Sequence, residues 1–243
     1  MYFEQGKIKI IYKMSTKKLT LTEALALAAK LSITKEEVLL IVNSVASNEQ
    51  KQWIELLDSI EWQKFPLTDL VFIIENTSDK EAEMTSVVLE MIPWKKLLKK
   101  ELLAGLKTIT NTSIIAKIIS SGRFDEATIL ATLKKHNNDF EIVVEAIKSK
   151  KLSISELQKI GKKQNNELIW GLLVLSHVFS NRQLLNIGKK ANSSSVWKTI
   201  IKSTTLSEKE LLEISNHTKN KSVRKLISSC GDFSFDQKQL LEA

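Results

Sequence analysis

Three pairs of lysines recur at a nearly fixed interval: Lys134–Lys135, Lys162–Lys163 and Lys189–Lys190, with Asn216–His217 in the same place one unit later. Set side by side, they form a positive ridge able to follow a phosphate backbone or an acidic peptide. If the same lysines end helices, they satisfy the last carbonyls and complement the helix dipole. That second reading needs no partner. Trp170 and Trp197 also recur, and Arg224 takes their place in the next unit. As a site, they make an aromatic strip with Arg224 on the Trp197 face, an anchor for a ligand. As structure, they pack between repeats beside Ile169 and Val196, which is the favoured reading. Trp53, Trp62 and Trp94 are expected in the core or at a groove edge.

Other chemistry is thin. His136, His177 and His217 lie 41 and 40 residues apart, and none has a second His or a Cys at ligand spacing, so no metal site is expected. His177, in "SHVFS", is expected at a helix end as a satisfied polar group. Cys230 is the single cysteine and is expected as a small buried thiol. No glycine-rich phosphate loop is present, and Gly161 and Gly188 stand alone within helical sequence. Asp79, Glu81 and Glu83 read as a solvated helix start. No catalytic set and no cofactor site emerge, so the expectation is a protein that is not an enzyme.

Composition narrows the partners. The net charge is +8, with 33 Lys and three Arg (Arg123, Arg182, Arg224). The sign permits polyanions, but Arg supplies bidentate reading of guanine edges, so the lysine bias argues against a sequence-specific reader. One cysteine and no secretory signal at the start set the expectation of a reducing, cytoplasmic compartment. The longest apolar run, "LIWGLLVL", has about half the length that crosses a bilayer, so it reads as a buried helix and no membrane partner is expected.

The elements that would position these residues come from a repeat. Leu152, Phe179, Leu206 and Phe233 are each followed by Ser (Ser153, Ser180, Ser207, Ser234), and three residues later by Glu156, Gln183, Glu210 or Gln237. This is a capping box four times over, and each marks a helix start. Behind the caps, Leu157 and Ile160, Leu184 and Ile187, and Leu211 and Ile214 share a helical face. A second face follows at Ile169 and Leu173, Val196 and Ile200, and Val223 and Ile227. One unit is therefore helix, turn, helix, with stripes that only stacking can bury.

The fold class expected is all-α: a right-handed α-solenoid of stacked two-helix repeats of about 27 residues. Asp125 fills the cap position upstream, Thr20 and Thr34 open further capping boxes, and Pro66 and Pro93, 27 apart, read as equivalent helix boundaries. Residues 1–13 read as an extension. Residues 14–243 form one domain: irregular repeats over 14–123, regular ones over 124–232 and a closing cap at 233–243.

"FSNRQLLNIGKK" and "LSEKELLEISNH" resemble the helical repeats of transcription-activator-like effector proteins, which open with an apolar residue and Ser or Thr and place an Ile before the inter-helix loop. That family carries Gly-Gly after its base-reading pair, where this chain has "KKQNN", "KKANS" and "NHTKN". The resemblance implies an α-solenoid of the HEAT or armadillo kind and not a base-reading code. Three functions follow in order. The first is a scaffold binding a protein or peptide, acidic in character, along its groove. The second is nucleic-acid binding without sequence reading, through the lysine ridge. The last is an enzyme such as a DNA glycosylase with HEAT-like repeats.

Overall fold

The computed structural model describes residues 18–30, 32–45, 50–77, 82–231, 233–234 and 237–238. The expected extension at 1–13 and the acidic side chains at Asp79, Glu81 and Glu83 lie outside them. The described residues form fifteen α-helices and one short 3-10 turn, with no strand. The chain divides into two compact units, Met1–Arg123 and Phe124–Ala243.

The first unit contains α1 (Leu21–Ala28), α2 (Lys35–Val42), α3 (Gln50–Asp58), the 3-10 turn Trp62–Lys64, α4 (Leu67–Asn76), α5 (Ala82–Met91), α6 (Lys99–Thr108) and α7 (Thr112–Ser120). Helices α1, α3 and α5 pack in one row and α2, α4 and α6 in another. The second row has a register of its own, because its helices begin at 35, 67 and 99, 32 residues apart. Val38, Leu70 and Leu102 therefore fall at one position and Val42, Ile74 and Leu106 at another, four residues on. All six are buried, and each contributes roughly 1.5–3 kcal/mol of transfer free energy. Trp62 and Trp94 obey the same interval. Their indole N–H groups donate to the carbonyls of Leu57 and Leu89 at 3.0 and 2.8 Å, folding each ring back over the helix before it.

The prolines are thereby corrected. Pro66 is the N-cap of α4, whereas Pro93 lies in the turn ahead of Trp94, five residues before the Leu98 cap of α6. With a period of 32, the partner of Pro66 is Leu98, not Pro93. Neither cap has a side-chain acceptor, so no capping motif announces α4 or α6.

The second unit contains α8 (Glu126–Lys135), α9 (Phe140–Lys148), α10 (Ile154–Gln164), α11 (Glu167–Leu175), α12 (Asn181–Ala191), α13 (Ser194–Ser203), α14 (Glu208–His217) and α15 (Lys221–Cys230). Each even-numbered helix packs on the next odd one, and α9, α11, α13 and α15 form a continuous row. Reciprocal capping boxes occur at Ser180, Ser207 and Ser234. Ser153 departs from the expected four. Its hydroxyl accepts from the Glu156 amide, but its own amide donates to Glu126 Oε1 at 2.7 Å. A carboxylate at the start of α8 thus completes the cap of α10, and these hydrogen bonds hold the Glu126 pKa below its ordinary value.

The odd-numbered helices are capped as regularly, by Asp139, Asn166, Ser193 and Asn220. Just before the first three, Asn138, Asn165 and Asn192 take left-handed backbone conformations, φ 55, 42 and 46°. Asn tolerates that region through local hydrogen bonding, so the turn closes without glycine.

Candidate functional site

The lysines lie where cap chemistry predicts. Lys134 and Lys135 end α8, Lys162 and Lys163 end α10, Lys189 and Lys190 end α12, and His217 ends α14. All are exposed. Between α8 and α10 is a groove of about 670 Å³ lined by Lys134, Lys159 and Lys163, with Glu156, Asn137 and Asn138. Further along, Lys189 Nζ meets Glu213 Oε1 of α14 at 2.7 Å, and that hydrogen bond lowers the Glu213 pKa. Carboxylates are therefore interleaved with the cations.

Trp170 and Trp197 are 3% and 2% exposed, so they offer no aromatic strip to solvent. Each ring packs on the glycine of the preceding helix: a Cβ at Gly161 would overlap Trp170, and one at Gly188 would overlap Trp197. This contact joins the two helices of one pair. In the next pair Ser215 and Arg224 hold these positions. Arg224 is half-buried, and its Nε donates to the Thr218 carbonyl at 3.1 Å.

His136 is half-buried with Nε2 unpaired. Burial, aided by Lys135 and opposed by Asp139, lowers its pKa. His177 lies just past the end of α11, as expected, and is exposed at φ 57°. Cys230, expected buried, is exposed; it is the last residue of α15, beyond the Val223–Ile227 stripe. Among the described residues no three or more His, Cys, Asp or Glu are grouped to hold a metal, and no helix is long and apolar enough to cross a membrane.

The surface that the sequence reading missed is on α11. "LIWGLLVL" is expected as a buried helix, yet only one side is buried, through Ile169, Trp170, Leu173 and Val174. On the other side Leu168 is 65% and Leu175 51% exposed, with Gly171 and Leu172 half-buried between them. These four sit at i, i+3, i+4 and i+7, one ladder on one face. The equivalent residues of α13, the next helix in the row, are Ser195, Lys198, Thr199 and Lys202. Those of α9 are Glu141, Val144, Glu145 and Lys148. An aliphatic ladder is thus flanked by polar neighbours, and Lys198 and Lys202 have no ion-pair partner among the described residues. The sequence signal was the departure from the repeat itself: leucine where the flanking copies carry Ser, Thr, Lys or Glu.

Comparison of the chain with protein-family models, curated proteins and solved structures finds no significant match to any.

Proposed function

We propose that this is a non-enzymatic binding scaffold whose paired helices are stacked as in a right-handed α-solenoid of the HEAT or armadillo kind. Its partner is a protein segment, acidic and amphipathic, that lays aliphatic side chains on the α11 ladder and carboxylates toward Lys198 and Lys202. The observation that carries this reading is the ladder of exposed Leu168 and Leu175 with half-buried Leu172 between them, beside Lys198 and Lys202, which have no ion-pair partner among the described residues. An exposed aliphatic patch bounded by polar residues is the usual mark of a protein-binding surface, and a helix in a groove is read through such spacing. The charge of the second unit agrees, with 19 basic against 13 acidic residues, +6 of the chain's +8.

A second reading, nucleic-acid binding without sequence preference, draws on the groove of Lys134, Lys159 and Lys163. Glu156 in that groove and the Lys189–Glu213 pair weigh against it, since a phosphate backbone repels both acids.

Calorimetric titration of the full chain separates the two. A short helical peptide with leucines at i, i+3 and i+7 and glutamates between them should bind. Leu168→Asp with Leu175→Asp should abolish that binding, and Lys198→Glu with Lys202→Glu should weaken it about tenfold, less at high salt. Binding of duplex DNA that falls steeply with salt and is lost in Lys134→Glu with Lys163→Glu, alongside no peptide binding, would replace the first reading by the second.

A further inference from the structure

The row α2, α4, α6 brings the same three positions together twice. At the first step Lys35 of α2 reaches Asp69 of α4, Nζ to Oδ1 2.8 Å, and the ammonium lies 5.1 Å from the centre of the Phe72 ring. This pairing raises the Lys35 pKa, chiefly through the hydrogen bond to Asp69. Advancing each residue by 32 gives Leu67 for Lys35, Glu101 for Asp69 and Ala104 for Phe72. The second step keeps the acid and loses both the cation and the ring.

What remains between α4 and α6 is a cleft of about 550 Å³. Leu67, Ala104, Gly105 and Ile109 supply an apolar wall, Glu75 and Glu101 are its charged residues, and no Lys or Arg lines it. Neither carboxylate has an ion-pair partner among the described residues. In a chain with 36 basic residues, a cleft whose only charged lining residues are carboxylates with no ion-pair partner among the described residues is complementary to a cation from outside.

We infer that the cleft between α4 and α6 binds an alkyl cation, an aliphatic stem ending in an ammonium or guanidinium, placed as Lys35 is at the preceding step. The charged end meets Glu101 and the stem lies on Leu67 and Ala104. Long basic side chains bind in this way, with methylenes on apolar surface and the head in a polar setting. Two sources share this chemistry: a lysine or arginine side chain of a protein segment, and a free alkylamine. The cleft is independent of the α11 surface, since it lies in another unit and carries the opposite charge.

The test is a titration of the full chain with n-butylammonium, n-butylguanidinium, the peptides Gly-Lys-Gly and Gly-Arg-Gly, and neutral n-butanol, read by amide chemical shifts. The cations should move the amides of Glu101, Gly105 and Thr108, and n-butanol should not. Glu101→Gln should weaken cation binding about three- to fivefold, the range of an exposed charge pair. Leu67→Lys, which supplies the missing internal cation, should abolish it. Because Leu67 is buried, Ala104→Phe at an exposed position is the second block, filling the cleft as Phe72 fills the first step. Shifts with the peptides but not the amines assign a protein segment, and the reverse assigns a free amine. Equal affinity for n-butanol, an unchanged affinity in Glu101→Gln, or no shift with any cation would overturn the proposal.

Discussion

The helices of one row begin at 35, 67 and 99 in the first unit, and the corresponding helices of the second begin at 126, 154, 181 and 208. The first interval is 32 residues and the second 27 or 28. The longer period accommodates the Trp62–Lys64 turn and the Trp94–Lys96 turn, which lie between helices where the second unit has a shorter link. The two units also differ in how they mark a helix start. Phe124–Ala243 repeats its caps, with Asp125, Ser153, Ser180 and Ser207 all accepting from the first turn. Met1–Arg123 repeats only its core, since Thr34, Pro66 and Leu98 share no cap chemistry. A register can therefore be held by buried apolar positions alone, and it is then harder to see.

The largest effect that sharpens this contrast is expected at the glycines of the second unit. Gly188→Ala drives a Cβ into the Trp197 ring and should cost about 1–3 kcal/mol by overpacking. Gly171→Ala meets no heavy atom within 4 Å and should instead stabilise by about 0.5–1 kcal/mol. Denaturant midpoints of the two variants check both signs. If Gly188→Ala is neutral, the Trp socket is not what fixes the pairing of α12 with α13.

Caps come next. Ser207→Ala should cost about 1 kcal/mol, while Leu98→Ser, at an exposed uncapped start, should gain a few tenths to about 1 kcal/mol. Equal losses in thermal melts would mean that the two units do not differ in this respect.

The smallest effect is one of pH. The folded Glu126 has a lowered pKa, because it accepts from Ser153. Its contribution to stability is full above the ordinary glutamate value of 4.5 and is lost as pH falls through the folded value. The difference in denaturant midpoint between the wild type and Glu126→Gln should therefore close on acidification. A difference that stays constant down to low pH would sever Glu126 from the α10 cap.

The sequence reading succeeded where one residue type did one local job at a fixed interval. Ser153, Ser180 and Ser207 start helices, and the Val196–Ile200 and Val223–Ile227 stripes are buried, because caps and stripes need no tertiary information. The 32-residue register was present as "IEWQKF" and "IPWKKL", around Trp62 and Trp94, but changing caps hid it. The exposed side of α11 was not legible. An all-apolar helix gives no sign of which faces its neighbours cover, and only the polar copies at Lys198 and Lys202 set it apart. The vacancy beside Glu101 needed Lys35 and Asp69 in contact before Leu67 could be seen as a missing partner. Cys230 was misplaced because burial at the C-terminal end of α15 is decided by tertiary neighbours, not by spacing from Ile227.

The left-handed asparagines decide where this molecule tolerates a change of length. Asn165 and Asn166 join α10 to α11 with no slack, one setting the bend and the other the cap. A residue inserted there has to be absorbed or it turns α11 by about 100°, drawing Ile169 and Trp170 away from their seat. The links that leave α9 and α11 are fixed in the same way, by Lys150 and His177 in left-handed conformations, so additions to the second unit are best absorbed at Thr204–Leu206, which begins on the extended Thr204 and holds no left-handed residue.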